Sequence, residues 1–254
     1  MSEVKPEAII HLAAMPQAQC QLDPQSALAV NTEGTRRLLN VADQLGVKRF
    51  IYFSTFQVYG KLIGKVSEEN RPYPENPYAQ SKLKAEEVID QFQSQQAMRT
   101  LIVRLSNGFG YPAGENVGEH IWGLVFNAFC QQCFAARVIT IRSNQYRDFI
   151  TLEDVARAVD HFLFMPSTAG LEGVFNLGGD CCLSVFEVAQ QVKQVYEKHY
   201  RRSVEIKAPV AEDQNLFKRF HYCIDKLRAT GFVRQDRREE EILKTLQLCE
   251  KKYV

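Results

Sequence analysis

A doubly wound α/β fold, a parallel sheet with helices on its faces, is the architecture this 254-residue sequence encodes. Three observations carry that expectation. Short runs rich in Ile, Val and Phe recur along the chain. Stretches with apolar residues at helical spacing separate them. The runs read as buried strands, as the strands of a parallel sheet covered on both faces do.

Each element has its own local cause. "AIIHLAA", from Ala8, is a strand that spills into a loop of small residues. "DPQSALAVNTEGTRRLLNVADQLG" then places Leu28, Thr35, Leu38, Ala42 and Leu45 on one helix face and stops at Gly46. "VKRFIYFST" is a buried strand. In "NPYAQSKLKAEEVIDQFQ", Asn76 is the N-cap and Pro77 takes the first helical position. "RTLIVRLSN" is a further buried strand. Beyond "GFGYPAGENVG" the alternation weakens. "EHIWGLVFNAFCQQCF" reads as one helix, "ARVITIRS" as a strand, and "RDFITLEDVARAVDHFLF" as a strand-to-helix unit. "GVFNLGG" is a short strand, "SVFEVAQQVKQVYEKHY" a helix, "SVEIKAP" a strand and "REEEILKTLQLCEKKY" a terminal helix. This half reads as a smaller α+β region interleaved with the end of the sheet.

Composition removes several classes of function. Hydrophobic residues are 45% and charged residues 24%, ordinary for a globular protein, and the formal net charge is +1. Such a balance gives no electrostatic footprint for nucleic acid or an anionic membrane. No apolar run is long enough for a transmembrane helix, and the charged start lacks the apolar segment of a secretory signal. Seven scattered cysteines, an odd number in a chain of this size, suit reduced thiols in a cytoplasmic protein. Cys130 and Cys133 in "CQQC" have metal or redox spacing, but no second pair stands nearby, so thiols on a helix is the expectation.

Chemistry concentrates in "YAQSK". Tyr78 and Lys82 are four apart on one helix face, about 5–6 Å between Cβ atoms. An ammonium close to a phenol favours the phenolate, and the positive end of a helix pushes the same way. The pair therefore suits a general base near neutral pH. A surface Tyr and Lys on an exposed helix fits the same spacing. Upstream, Ser54 and Thr55 end a buried strand, at the side of a parallel sheet that lines a ligand crevice. Their hydroxyls could equally satisfy their own backbone.

Seven stretches stand together in order: "IIHLAA", "NTEGTRRLL", "FIYFSTFQVYG", "PYAQSK", "VRLSNGFGYP", "RDFITLEDVARAV" and "VFNLGG". In that order the chain resembles the extended short-chain dehydrogenase/reductases, in the branch holding NAD-dependent sugar-nucleotide epimerases and dehydratases. The resemblance implies a partial Rossmann-like sheet and a set of roles. Tyr78 takes the proton of a sugar hydroxyl. Lys82 holds the nicotinamide ribose and lowers the Tyr78 pKa. Thr55 shares the hydrogen bond to the reacting oxygen, and Ser54 lies beside the cofactor, NAD or NADP. His11, Leu12, Ala13 and Ala14 form the loop past the cofactor, supported by Asn31. Asn107 reaches the sugar nucleotide and Arg147 grips its diphosphate, a task suited to guanidinium. A turn before Gly108 and an ion pair with Asp148 or Asp154 are the plainer roles for these two. A second diphosphate arginine falls to Arg219, or to Lys218. The resemblance further implies a cofactor-binding part of residues 1–108 with 145–178, a substrate-binding region of 109–144 with 179–254, and a homodimer through the helices containing Asn31 and Tyr78.

Two departures sharpen the reading. Dehydratases of this branch carry Asp then Glu after the strand-end threonine. Phe56 and Gln57 stand there instead, and neither exchanges a proton at neutral pH. Epimerisation or 4-keto reduction fits better than dehydration. The second departure is at the front. The family's opening strand, glycine-rich loop and helix are expected to precede "AIIHLAA", which corresponds to its fourth strand. "GFGYPAG" at Gly108–Gly114 has the wrong spacing for that loop and reads as a turn. The β-strand at Ala8 is accordingly expected to form an exposed apolar sheet edge. The leading expectation is a nucleotide-sugar 4-epimerase with Tyr78 as base. The alternatives are a nucleotide-sugar 4-ketoreductase, and an inactive fragment or half of a split protein.

Overall fold

The computed structural model describes residues 5–93, 98–111, 118–165, 172–208 and 218–253. Strand β1 (Ala8–His11) leads through α1 (Gln17–Leu22) to α2 (Pro24–Ala27). The helix continues through a π-helical stretch, Leu28–Glu33, into α3 (Gly34–Gln44). Then come β2 (Arg49–Thr55), a 3-10 turn (Phe56–Tyr59), β3 (Gly64–Val66), α4 (Pro77–Gln93), β4 (Arg99–Leu105) and β5 (Asn107–Phe109). A second 3-10 segment, Glu119–Gly123, precedes α5 (Val125–Ala135), β6 (Val138–Thr140), β7 (Tyr146–Thr151), α6 (Leu152–Phe164) and β8 (Gly173–Leu177). The chain ends through β9 (Cys182–Ser184), α7 (Val185–Tyr200), β10 (Glu205–Lys207), β11 (Phe220–Tyr222), α8 (Asp225–Ala229) and α9 (Arg238–Tyr253).

The main sheet has the order β1-β2-β4-β8, with every pair parallel. Alternation along β2 sends Phe50 and Tyr52 to one face and Ile51 and Phe53 to the other. The first pair packs with Leu39 and Ala42 of α3 and with Ala85 and Ile89 of α4. The second packs with Ala158 and Phe162 of α6 and Leu227 of α8. Helices thus cover both faces, which is the doubly wound arrangement. Among the described residues β1 pairs with β2 alone, and Ile10 is 37% exposed, so this strand is the sheet edge.

A separate core forms where α5, α7 and α9 meet, around Phe126, Phe129, Val188, Val192, Ile242 and Leu246. Phe109 stacks on Phe126 at 3.8 Å between ring centroids. Around it lie short pairings, β5-β7-β9, β6-β10 and β3-β11. One sequence expectation is corrected here. The segment from Glu119 to Phe134 is not one helix: Leu124 is extended (φ −71°, ψ 137°) and divides it into the 3-10 segment and α5. Gly123 stands just before the break, where its backbone freedom weakens helical continuity.

Cys130 and Cys133 are fully buried on α5 in the same core as Cys249. Burial pushes the Cys133 and Cys249 thiols up to about 12, the chemistry of inert packed thiols. All seven cysteines are free, and no group of His, Cys, Asp and Glu among the described residues could hold a metal ion.

Candidate active site

The carboxyl ends of β1 and β2 and the first turns of α4 come together at one side of the main sheet. Asn76 starts α4 as the sequence predicts: its Oδ1 accepts from Ala79 N at 2.9 Å. Its Nδ2 donates to Gln57 Oε1 at 3.0 Å, and Gln57 Nε2 donates to Gln17 Oε1 at 3.1 Å. The turn after β2 is thereby tied to the start of both α1 and α4. Phe56 packs edge-on against Tyr222, 6.3 Å between centroids. Thr55 ends β2 buried, and its Oγ1 caps the 3-10 turn by accepting from Gln57 N.

Tyr78 is half-buried in the first turn of α4. Lys82, one turn later, is 1% exposed, with its Nζ 4.1 Å from the centroid of the Tyr52 ring. Burial pushes Lys82 down to about 7, while the Glu86 carboxylate and the Cys20 thiol pull the other way. This corrects the expected electrostatics of the pair. The phenol of Tyr78 is raised, not lowered, by burial and by the nearby Cys20 thiol. Desolvation, and not the charge attraction that spacing alone suggested, sets the direction.

Glu86 explains why Lys82 is so poorly compensated. Arg104 grips both Glu86 oxygens, with Nη2 to Oε2 at 2.6 Å, and Ser54 Oγ donates to Oε1. All three side chains are buried. Arg104 also lies over the Tyr59 ring, 4.7 Å to the centroid. Ser54 therefore points its hydroxyl to α4. The Glu86–Arg104 pair was missed in the sequence, though both partners left a signal. Glu86 stands four residues after Lys82, and Arg104 interrupts an apolar strand where a charge needs a partner.

The loop after β1 is held from below. His11 Nε2 lies 3.0 Å from Thr35 Oγ1, and burial with the Lys82 charge pushes His11 down to about 4. Leu12 and Ala13 are exposed and Ala14 is half-buried. Asn31 sits in the π-helical stretch, a feature frequent at functional sites. Its Oδ1 accepts from Met15 N at 2.7 Å and its Nδ2 donates to Ser81 Oγ at 2.8 Å. Ser81 Oγ in turn donates to Tyr78 O at 2.8 Å, so one amide joins the loop to the helix turn bearing Tyr78.

The remaining residues lie farther along. Asn107 Nδ2 donates to Asp148 O at 2.8 Å, joining β5 to β7. Asp148 accepts from Gly179 N and Cys181 N, an approach that requires glycine, since a Cβ at Gly179 would fall 1.5 Å from Phe149 O. Arg147 is half-buried, lowered by that burial, and lines a cavity with Trp122 and Phe129. Arg219 stands apart, paired with Glu187 and 5.3 Å over the Tyr146 ring. Lys218 is exposed. Thus the Asn31 and Ser81 contacts join the loop after His11 to the α4 turn of Tyr78 and Lys82, Ser54 and Thr55 end the neighbouring β2, and Arg219 pairs with Glu187 rather than lining the Arg147 cavity.

A doubly wound parallel sheet with a tyrosine–lysine couple beside its strand ends defines a dinucleotide-type α/β protein. The description of the NAD dependent epimerase/dehydratase family matches residues 1–178, and the chain belongs to that family. It is 31% identical over 173 residues to dTDP-D-glucose 4,6-dehydratase of Mus musculus, covering 66% of this chain and 46% of that protein. It is 26% identical over 217 residues to UDP-glucose 4-epimerase of Rhizobium leguminosarum bv. trifolii, covering 79% of this chain and 65% of that one. In fold it resembles RMD from Pseudomonas aeruginosa complexed with NADPH: TM-score 0.83, 24% identity, 99% of this chain and 84% of the other. The chain thus spans about half to two-thirds of the length of these curated relatives.

The family is NAD-dependent, and the residues present fit part of that cofactor. Lys82 is a buried ammonium whose acidic neighbour is already taken by Arg104 and Ser54. A donor in that condition suits the hydroxyls of a ribose, and the exposed loop after β1 leaves its backbone accessible beside it. Among the described residues no glycine-rich loop joins a strand to a helix, so the fit is to the ribose and nicotinamide end of the cofactor.

Proposed function

We propose that this chain carries the catalytic residues of an NAD(P)-dependent nucleotide-sugar 4-epimerase. The observation that carries it is Tyr78 one turn before the buried Lys82 on α4, whose Nζ lies over Tyr52 of β2, the strand that Thr55 ends, within the family match. Tyr78 Oη in its phenolate form takes the proton of the sugar C4 hydroxyl while Thr55 Oγ1 hydrogen-bonds the same oxygen; burial disfavours that form in the free protein, and the positive charge of an oxidised nicotinamide alongside would favour it. Lys82 holds the nicotinamide ribose, and the backbone of Leu12, Ala13 and Ala14, with His11 and Ser54 near, walls the nicotinamide side. The cofactor supplies the acceptor and donor of hydride at C4. Inversion follows when the 4-keto sugar turns in its pocket before Tyr78 returns the proton. Phe56 and Gln57 leave no acid for elimination at the neighbouring carbons, which favours epimerisation over the dehydration named for the mouse relative.

The same reading keeps Asn107 and Arg147 as nucleotide-sugar contacts. It assigns residues 1–108 with 145–178 to the cofactor and 109–144 with 179–254 to the substrate. It places a homodimer on the helices containing Asn31 and Tyr78, where Val30, Val41 and Leu45 are exposed. The test is exchange of UDP-glucose and UDP-galactose by the chain supplied with NAD. Tyr78→Phe is expected to slow it by about 10²-fold or more, the size of a lost general base; turnover within a few-fold of wild type removes Tyr78 from the mechanism. Stoichiometric consumption of NAD(P)H by a keto-sugar nucleotide would mark the chain as a ketoreductase. Absence of NAD binding at millimolar concentration would mark it as inactive by itself.

A further inference from the structure

The cavity beside Arg147 lies between Trp122, α5, β6 and the start of β7, with a volume of about 680 Å³. Its lining combines Trp122, Phe129, Thr140, Ser143 and two arginines, Arg142 and Arg147, with no carboxylate among the described residues. Neither arginine has an ion-pair partner among the described residues, and Arg147 is partly desolvated without compensation. Two uncompensated guanidinium groups at one acid-free cavity form a site for an anion with more than one charged group.

Arg219 does not belong to it. Successive residues of a strand point to opposite faces. Tyr146 and Arg147 are successive on β7, and Arg219 lies over Tyr146 and pairs with Glu187. It is therefore across the strand from the face Arg147 presents to the cavity. Arg142, by contrast, comes from the turn between β6 and β7 and lines the same cavity as Arg147.

We infer that Arg142, and not Arg219, is the second residue gripping the diphosphate of a nucleoside diphosphate sugar, on the lining of the same cavity as Arg147. The inference rests on the nucleotide-sugar reading above and adds to it a binding residue particular to this chain. Trp122, the only tryptophan of the sequence, lines the same cavity and reports its occupancy.

The experiment titrates UDP, and separately inorganic pyrophosphate, into the chain while Trp122 fluorescence is followed, with calorimetry as a second readout. Both probes are expected to bind saturably and to compete. Arg142→Gln and Arg147→Gln should each weaken UDP about tenfold or more, as loss of a charge-assisted contact does. Arg142→Lys should recover part of that loss, and Arg219→Gln should stay within about twofold of wild type. Arg142 is exposed on a turn, so its variants fold. The inference is overturned if Arg142→Gln binds UDP within about twofold of wild type, or if neither readout detects UDP up to about 10 mM. The readout is UDP binding and not turnover, so failure of the tyrosine mechanism and failure of this inference are told apart.

Discussion

Lys82 is held in the site at an electrostatic cost. Its folded value is held near 7 by burial, well below that of a free lysine. Between pH 7 and the unfolded value near 10.5 the unfolded chain binds more protons than the folded one, so this residue's contribution to stability rises with pH across that window. Below pH 7 the full cost of holding a charged ammonium in the interior is present. Lys82→Met should therefore be more stable than wild type at pH 6, and the difference should shrink toward pH 10. Thermal melts of both proteins at the two pH values check this; a difference that stays constant or grows with pH contradicts the burial argument. His11 follows the same sign at lower pH. Its depressed value, about 4, keeps it neutral near pH 7, and stability is lost as pH falls from 6.5 through 4.

At the scale of elements, α4 is fixed at two points. Asn76 caps its first turn, and Asn76→Ala should cost about 1 kcal/mol in urea unfolding, with the turn that bears Tyr78 loosened. Glu86 fixes its middle to β2 through Ser54 and to β4 through Arg104. Glu86→Ala leaves a buried guanidinium unpaired, so a loss of about 3–5 kcal/mol is expected by the same measurement. The two costs also divide what was legible in the sequence. Asn76, Pro77 and the Tyr78–Lys82 spacing are local signals, and the strand runs at Ala8, Arg49, Arg99 and Gly173 show their periodicity within a few residues. The alternation therefore foretold the parallel sheet, and the family resemblance foretold the exposed β1 edge. Glu86–Arg104 joins residues on different elements, and the short strands β3, β5, β9 and β11 exist only through partners far along the chain. The Tyr78 phenol went the other way from the spacing argument because burial, a property of the whole fold, sets its direction.

At the scale of the whole molecule, two of the apolar surfaces that the described residues leave exposed call for different partners. Among the described residues the outer side of β1 has no strand paired to it, beside the exposed Ile10 and Leu12, which is the geometry of strand addition and aggregation. The helical surface offers Val30, Val41 and Leu45 on a continuous helix, a geometry suited to a symmetric pair. A charge placed on each surface should separate the two modes. Ile10→Lys is expected to reduce turbidity on heating and leave the sedimentation coefficient of the proposed helix-mediated dimer unchanged, since a lysine on an edge strand blocks further pairing. Val41→Asp is expected to shift sedimentation toward the monomer by about tenfold in dissociation constant or more, as burial of one unpaired carboxylate would require. Should Ile10→Lys dissociate the dimer while Val41→Asp leaves it intact, the pairing runs through the sheet edge and the helix-mediated dimer is wrong. That outcome would also place the second copy where it blocks the side of β1 nearest the Leu12–Ala14 loop. Dimer formation and cofactor binding would then compete, and adding NAD would drive the chain toward monomer.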